Sequence, residues 1–163
     1  MARKQRRLKT EKPPATQPFV ERRQGPRASL IYTDVFPSCL DSVEAVLHRA
    51  MTKLDELGCC NGERDEVDIS LREALINAVK HGNQGNRGKR VELGCYQQQD
   101  GAILLVVRDE GPGFNPGLVP DPTHPDNMLR GSGRGLLMIR SFMDDVQFQQ
   151  GGREIRMRKK PKP

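Results

Sequence analysis

Three polar side chains recur every fourth residue in the segment LREALINAVKHGN, residues 71–83. Successive helical residues turn by about 100°, so Glu73, Asn77 and His81 fall within about 80° of arc on one helix face. An amide oxygen can coordinate a hard cation such as Mg²⁺, and a carboxylate one turn away can accept a proton from a hydroxyl or water. The alternative to a functional site is that Glu73 and Asn77 lie on a helix face exposed to solvent. His81 fits either a pocket wall or the C-terminal end of the helix.

A second polar cluster, DEGPGF, occupies residues 109–114 directly after an apolar run. Asp109 can therefore project a carboxylate into a cleft where a buried strand ends. Gly111 and Gly113 allow the backbone to turn tightly and to approach a ligand. Such a carboxylate can accept a hydrogen bond from the exocyclic amine of adenine. An ordinary turn with aspartate at its first position is the alternative interpretation.

A third cluster, GSGRGL, places three glycines immediately before a predicted helix. The free N–H groups of a helix N-terminus can bind phosphates, so this cluster is a candidate phosphate site. The alternative interpretation of the cluster is a flexible glycine-rich linker. The candidate phosphate-binding residues are Gly131, Ser132, Gly133, Arg134, Gly135 and Leu136. The chain lacks the GxxxxGK[ST] motif and the VAIK and HRD segments of protein kinases, and no strand directly precedes these glycines. P-loop, protein-kinase and dinucleotide-fold sites are thereby excluded.

The elements that must position these residues are predicted from apolar periodicity. SLIYTDVF indicates a strand, and apolar residues at helical spacing indicate a helix over residues 39–57, which Gly58 ends. A second helix is predicted over residues 63–81, with Gly82 just beyond its C-terminus. One face of this helix can pack on a sheet while the polar line faces a ligand.

The C-terminal half predicts two hairpins separated by a long loop and a helix. RVELGCYQQ and AILLVVRD flank an Asp100-Gly101 turn, and DVQFQQ and REIRMR flank Gly151-Gly152. Five prolines between residues 110 and 130 exclude regular structure there, and GLLMIRSFM predicts the third helix. This order of elements predicts an α+β fold, a two-layer α/β sandwich in which three helices cover one face of a mixed sheet.

Positive charge is concentrated at the N-terminus. The 163-residue chain has a formal net charge of +6, of which residues 1–27 contribute +7 and the remainder −1. This basic segment contains several prolines and lacks periodicity, which is typical of disorder. The predicted organisation is a disordered basic arm over residues 1–28, a folded domain over residues 29–158 and a basic tail over residues 159–163.

Composition also predicts the compartment and the state of the cysteines. No run approaches the roughly 18 apolar residues of a membrane span and no signal-peptide pattern is present, so we expect a cytoplasmic protein with no membrane partner. The cysteines lack C-x-x-C spacing, which favours reduced thiols over a disulfide framework or a zinc site. They are Cys39, Cys59, Cys60 and Cys95.

The three clusters together resemble a known family. EALINAVKHGN, DEGPGF and GSGRGL match, in order and spacing, the N box and the two glycine boxes of the Bergerat-fold (GHKL, histidine-kinase-like) ATPases. The forms DEGPGFNP and GRGLLMIRSFMDDV are most similar to the anti-sigma-factor serine/threonine-protein kinases of that family. The resemblance covers about residues 29–158 and identifies this segment as the ATPase domain.

The resemblance implies roles for the matched residues. Glu73 would be the general base, Asn77 the Mg²⁺ ligand and Asp109 the carboxylate that reads adenine. The ATP-binding residues that it implies are Asn77, His81, Asp109, Gly111, Gly113, Gly131, Ser132, Gly133, Arg134, Gly135 and Leu136.

The resemblance also implies an activity and partners. Members of the family use ATP and Mg²⁺, silence a sigma factor of RNA polymerase by binding it, and phosphorylate a serine on an antagonist (anti-anti-sigma) protein. A homodimer is also implied. The alternatives are an ATP-binding switch module without phosphoryl transfer and a detached ATPase domain of a histidine-kinase system. A nucleic-acid binder ranks lowest, because the basic arm lacks interleaved aromatic residues.

Overall fold

The computed structural model describes residues 28–60, 62–115 and 134–162. The regular elements, in chain order, are β1 (Ala28–Pro37), α1 (Leu40–Glu56), α2 (Arg64–Asn77), β2 (Arg90–Gln98), β3 (Ile103–Asp109), α3 (Arg134–Phe142), β4 (Asp145–Gln149) and β5 (Glu154–Lys159). A π-helical turn (Ala78–Gly82) continues α2, and a 3₁₀ turn (Gln150–Gly152) joins β4 to β5.

Every helix and strand that periodicity predicts is present, and β1 begins at Ala28, one residue before the predicted start of the folded domain at residue 29. Some predictions fall outside the described residues. These are the disorder of residues 1–27, the irregular structure of the proline-rich segment over residues 116–130, and the phosphate-binding roles of Gly131, Ser132 and Gly133.

The strands form one sheet in the order β1-β2-β3-β5-β4. All four neighbouring pairs are antiparallel, so the prediction of a mixed sheet is wrong, whereas the α+β class is confirmed. The reason lies in the position of β5. Strands β3 and β4 run in the same direction, but β5 lies between them and runs the opposite way. The connection through α3 therefore creates no parallel pair.

Local sequence sets where several elements end. Helix α1 stops at Glu56 because Gly58 adopts a left-handed φ of 63°. The β2–β3 hairpin turns at Asp100 and Gly101 as predicted, with the Ala102 N–H donating to the Asp100 carboxylate at 3.1 Å. Among the helices of the described ranges, none has the length and apolar character needed to cross a bilayer.

The core lies between the sheet and the three helices. Alternate residues of the central strands point towards the helices, and a smaller cluster of Tyr96, Leu104 and Val106 is buried on the opposite face of the sheet. Fully buried members of the core include Leu47, Leu54, Leu71, Leu75, Leu93, Ile103, Leu105, Ile139 and Met157. All four cysteines are free thiols. Burial raises the pKa of Cys60 to about 12 and raises the pKa of Cys95 as well.

Candidate functional site

A cavity of about 460 Å³ lies between α2 with its π-helical turn, the ends of β3 and β5, and the first turn of α3. It brings together residues of all three polar clusters. The predicted site residues among its lining are Glu73, Asn77, His81, Asp109, Gly113, Gly135 and Leu136. Gly111 is buried and donates its N–H to Asp109, whereas Arg134 is exposed and does not line the cavity.

Glu73 and Asn77 line this cavity together, as their four-residue spacing predicts. The opposite side of α2 is fully buried in the core through Leu71 and Leu75. Both polar residues are half-buried, so they belong to a partly enclosed site and not to a fully solvated helix face. An amide and a carboxylate in this arrangement can serve a cation and an attacking hydroxyl side by side.

The first turn of α3 packs directly on these two residues. A β-carbon added to Gly135 would lie under 3.0 Å from Glu73 Oε2 and 3.5 Å from Asn77 Nδ2. The backbone of α3 at Gly135 therefore lies against the end of the Glu73 side chain, and a side chain at this position would displace the carboxylate. The first turn of α3, at the positive end of the helix dipole, therefore adjoins Glu73 and Asn77, which is a favourable environment for phosphate.

The C-terminal end of α2 differs from the prediction. Regular α-helix ends at Asn77, and the π-helical turn that follows is closed by the Asn83 N–H, which donates to the Ala78 carbonyl at 2.8 Å. Gly82, predicted to lie just beyond the helix, lies inside this turn. Single π-helical turns are frequent at functional sites. Here the turn places Lys80 and His81 in the cavity lining, which supports the pocket-wall interpretation of His81.

Asp109 is the last residue of β3 and is held between two backbone segments. A β-carbon at Gly82 would lie under 3.0 Å from all three carboxylate atoms of Asp109, and one at Gly111 would lie 2.8 Å from its Oδ1. Burial raises the pKa of Asp109. Two effects oppose that rise in pKa. The Gly111 N–H donates to Oδ1 at 2.7 Å, and the positive charges of Arg153 and Lys89 lie nearby. Gly82 is therefore a site residue that motif analysis missed.

Apolar side chains form another part of the lining that the motifs did not reveal. Val107, Ile155 and Phe148 occupy one row across β3, β5 and β4, in register with one another. The Phe148 ring meets the Phe114 ring edge-to-face, with centroids 5.3 Å apart. Such a wall suits a flat heterocycle. The pairing of β3 with β5 completes this row, and local sequence does not specify that pairing because the two strands are distant in the chain.

The β4–β5 turn forms the back of the site. The Phe114 N–H donates to the Gly151 carbonyl at 3.0 Å, and the Asp109 N–H donates to the Arg153 carbonyl at 2.9 Å. A β-carbon at Gly152 would lie 2.8 Å from the Phe114 nitrogen. The turn therefore supports the DEGPGF segment through close backbone packing, a role that its prediction as a simple hairpin turn did not include.

Glu154 anchors this turn. Its carboxylate is fully buried and accepts hydrogen bonds from Arg108 Nη2 at 2.6 Å, Arg156 Nε at 2.7 Å and Gln150 Nε2 at 2.9 Å. A buried carboxylate requires this degree of pairing to offset its lost hydration. Since Gln150 begins the 3₁₀ turn, the network connects the β3–β5 pairing to the back of the cavity.

A sequence profile of the histidine kinase-like ATPase domain matches residues 36–159, which contain all three polar clusters. The chain belongs to the histidine kinase-like ATPase family. Within this ATPase family it is similar to the serine-protein kinase RsbW of Staphylococcus epidermidis, with 29% identity over 150 residues, 88% of this chain and 87% of that protein.

Two anti-sigma F factors are also similar to this ATPase-family chain. That of Priestia megaterium is 33% identical over 91 residues, which cover 53% of this chain and 60% of that protein. That of Clostridium acetobutylicum is 34% identical over 105 residues, which cover 60% of this chain and 71% of that protein. The predicted resemblance to the anti-sigma-factor kinase group is thereby confirmed.

The cavity fits the ATP that this ATPase family binds. It offers a fixed carboxylate, an apolar row for a base, and a helix N-terminus with Lys80 nearby for phosphates. Within the described ranges, no group of three His, Cys, Asp or Glu side chains could hold a metal ion. A Mg²⁺ ion at Asn77 would therefore depend on phosphate and water ligands, as Mg²⁺ beside a nucleotide usually does.

Proposed function

We propose that this chain is an ATP-dependent serine/threonine-protein kinase and anti-sigma factor. It sequesters a sigma factor of RNA polymerase and phosphorylates an antagonist (anti-anti-sigma) protein. The observation that carries the proposal is the convergence of Glu73, Asn77 and Asp109 on one cavity. The relatives named serine-protein kinase and anti-sigma F factor support this activity.

The base and the phosphates of ATP occupy different ends of the cavity in this proposal. The Asp109 carboxylate accepts a hydrogen bond from the exocyclic amine of adenine, and Gly111 and Gly113 leave room for the base. The phosphates lie near His81 and the start of α3. The phosphate-side residues are Gly131, Ser132, Gly133, Arg134, Gly135 and Leu136.

The phosphate end carries the chemistry. Asn77 holds Mg²⁺, which neutralises charge on the phosphates. Glu73 accepts the proton of the acceptor hydroxyl, whose oxygen bonds to the γ-phosphorus as the bond to the bridging oxygen of ADP breaks. The half-buried position of Glu73 beside Asn77 supports this assignment. The remaining contribution of the protein is to align the hydroxyl with the phosphate.

The proposal also includes the setting of this activity. Residues 29–158 form the ATPase domain, and the basic arm of residues 1–28 and the tail of residues 159–163 flank it. The protein acts in the cytoplasm, where sigma factors and ATP occur, and it acts as a homodimer. Direct binding to nucleic acid is not part of the proposal.

Glu73→Gln tests the catalytic assignment. The substitution keeps the size and shape of the side chain but removes its basicity, so ATP affinity should stay unchanged while phosphoryl transfer falls by about 10²–10⁴-fold. The assay uses γ-labelled ATP, Mg²⁺ and candidate antagonist proteins from the same genome, with calorimetry for ATP affinity. Glu56→Gln is the matched control, because Glu56 is an exposed residue at the end of α1 and does not line the cavity.

The outcomes separate the alternative functions. Wild-type transfer rates in Glu73→Gln would remove Glu73 as the base. ATP binding by the wild type without transfer to any antagonist would favour the non-catalytic switch module. Label on a histidine of the acceptor, lost in acid where phosphoserine persists, would favour the histidine-kinase system.

A further inference from the structure

The Asn83 side chain joins three chain segments behind the base end of the cavity. It is 1% exposed, and its Nδ2 donates to the Arg90 carbonyl at 2.8 Å. Its Oδ1 accepts from the Glu110 N–H at 2.9 Å. The ring of hydrogen bonds closes where the Arg90 N–H donates to the Glu110 carboxylate at 2.7 Å. Each contact has one donor and one acceptor, so the orientation of the amide is determined by its partners.

This ring extends the β2–β3 ladder by one position. Val91 pairs with Asp109, Arg90 precedes Val91 in β2, and Glu110 directly follows the end of β3. The Asn83 amide bridges their backbone groups as a peptide unit of a neighbouring strand would. Loss of the Asn83 amide would remove the partner of the Arg90 carbonyl and of the Glu110 N–H, and with them the link between the two segments.

The residues beside Asn83 and Glu110 are the two that meet at the base end of the cavity. Gly82 precedes Asn83, and Asp109 precedes Glu110. The Gly82 backbone packs on the Asp109 carboxylate at a distance that leaves no room for a β-carbon. One hydrogen bond, from the Glu110 N–H to Asn83, therefore connects the end of the π-helical turn to the segment that carries the carboxylate.

We propose that Asn83 is a positioning residue for base recognition, which holds the Asp109 carboxylate at a fixed distance from the α2 residues. The inference rests on the proposed binding of ATP at this cavity. A carboxylate in this place favours adenine, which presents an amine donor, over guanine, which presents a carbonyl acceptor at the same ring position. Loss of Asn83 lets Asp109 move, so the preference for adenine weakens.

The experiment compares the affinities of Mg·ATP and Mg·GTP for the wild type and for Asn83→Ala. The ratio of the two affinities should fall by about 10- to 100-fold, as expected when one charge-assisted hydrogen bond is misplaced. A general loss of stability would weaken both nucleotides alike and leave the ratio unchanged. Asn86→Ala is the matched control, because Asn86 also accepts a backbone hydrogen bond, from the Gly88 N–H at 2.9 Å, but is exposed.

Glu110→Ala is the second variant and keeps the inference testable if Asn83→Ala does not fold. It removes the exposed carboxylate of the ring, and the ratio should fall by a smaller factor of about 2 to 5. If the wild type prefers ATP and this preference persists in both variants, the role of Asn83 is overturned while the proposed kinase stays intact. The same conclusion follows from Glu110→Ala alone if Asn83→Ala does not fold. A wild type that binds ATP and GTP equally would overturn the role of Asp109 together with that of Asn83.

Discussion

Replacing Gly82 by alanine tests whether the Asp109 carboxylate contacts the base of ATP. The new β-carbon would lie under 3.0 Å from all three carboxylate atoms, whereas ordinary contact begins at 3.4 Å. The carboxylate cannot retreat freely, because its Oδ1 accepts the Gly111 N–H at 2.7 Å. Displacing it should cost the complex one charge-assisted hydrogen bond, about 1.5–3 kcal/mol. The dissociation constant for ATP should therefore rise by about 10- to 150-fold.

Calorimetric titration with Mg·ATP measures this change. Alanine suits the helical backbone at Gly82, so the folded structure should persist, which thermal unfolding can verify. Gly88→Ala is the control, since its β-carbon would meet the exposed Asn86 Oδ1, at 3.2 Å, and not Asp109. A folded Gly82→Ala protein with wild-type ATP affinity would show that Asp109 does not contact the base.

Two further predictions concern charge. Wild-type ATP affinity should fall as the pH drops through the pKa of Asp109, because protonation removes the negative charge that strengthens the hydrogen bond to the base, and burial raises that pKa from its ordinary value. Calorimetry over the acidic range should show this fall in ATP affinity in the wild type and not in Asp109→Asn. Identical dependence of affinity on pH in the two proteins would contradict the prediction. Glu154→Gln should lower the free energy of unfolding by about 3 kcal/mol, because the fully buried carboxylate pairs with Arg108 and Arg156. Urea unfolding measures the free energy of unfolding, and Asp100→Asn is the control because the Asp100–Arg158 ion pair is exposed and should contribute below about 1 kcal/mol. An equal loss in both variants would refute the prediction.

Local sequence predicted the elements because each one buries a single face. The apolar repeat of α1 and the glycine that follows it placed both ends of that helix within a residue or two. The end of α2 was misplaced because apolar periodicity does not distinguish a closing π-helical turn from the regular α-helix that precedes it. The mixed sheet was a wrong prediction because the position of β5 between β3 and β4 is a property of the whole sheet.

The site was predictable where side-chain chemistry is visible in the spacing. Glu73 and Asn77 share a helix face, and Asp109 ends an apolar strand, so their meeting at one cavity follows from the pattern. Phe148 and Ile155 could not be found in this way, because an apolar cavity wall looks like any other core residue in sequence. Asn83 was missed because asparagine after a helix usually indicates a turn, whereas here its amide is buried.

The two ends of the cavity are held by different means, and this accounts for the glycines at positions 82, 111 and 135. At the end where the base is proposed to bind, Asp109 is enclosed by close backbone approaches at Gly82 and Gly111, so the proposed recognition depends on main-chain spacing. At the other end, Glu73 projects from a helix on a longer side chain and meets a backbone approach at Gly135. A short, enclosed carboxylate suits the discrimination of a rigid base. A longer side chain with more rotatable bonds suits a hydroxyl that arrives with a separate protein, because it can adjust as that hydroxyl is aligned for transfer.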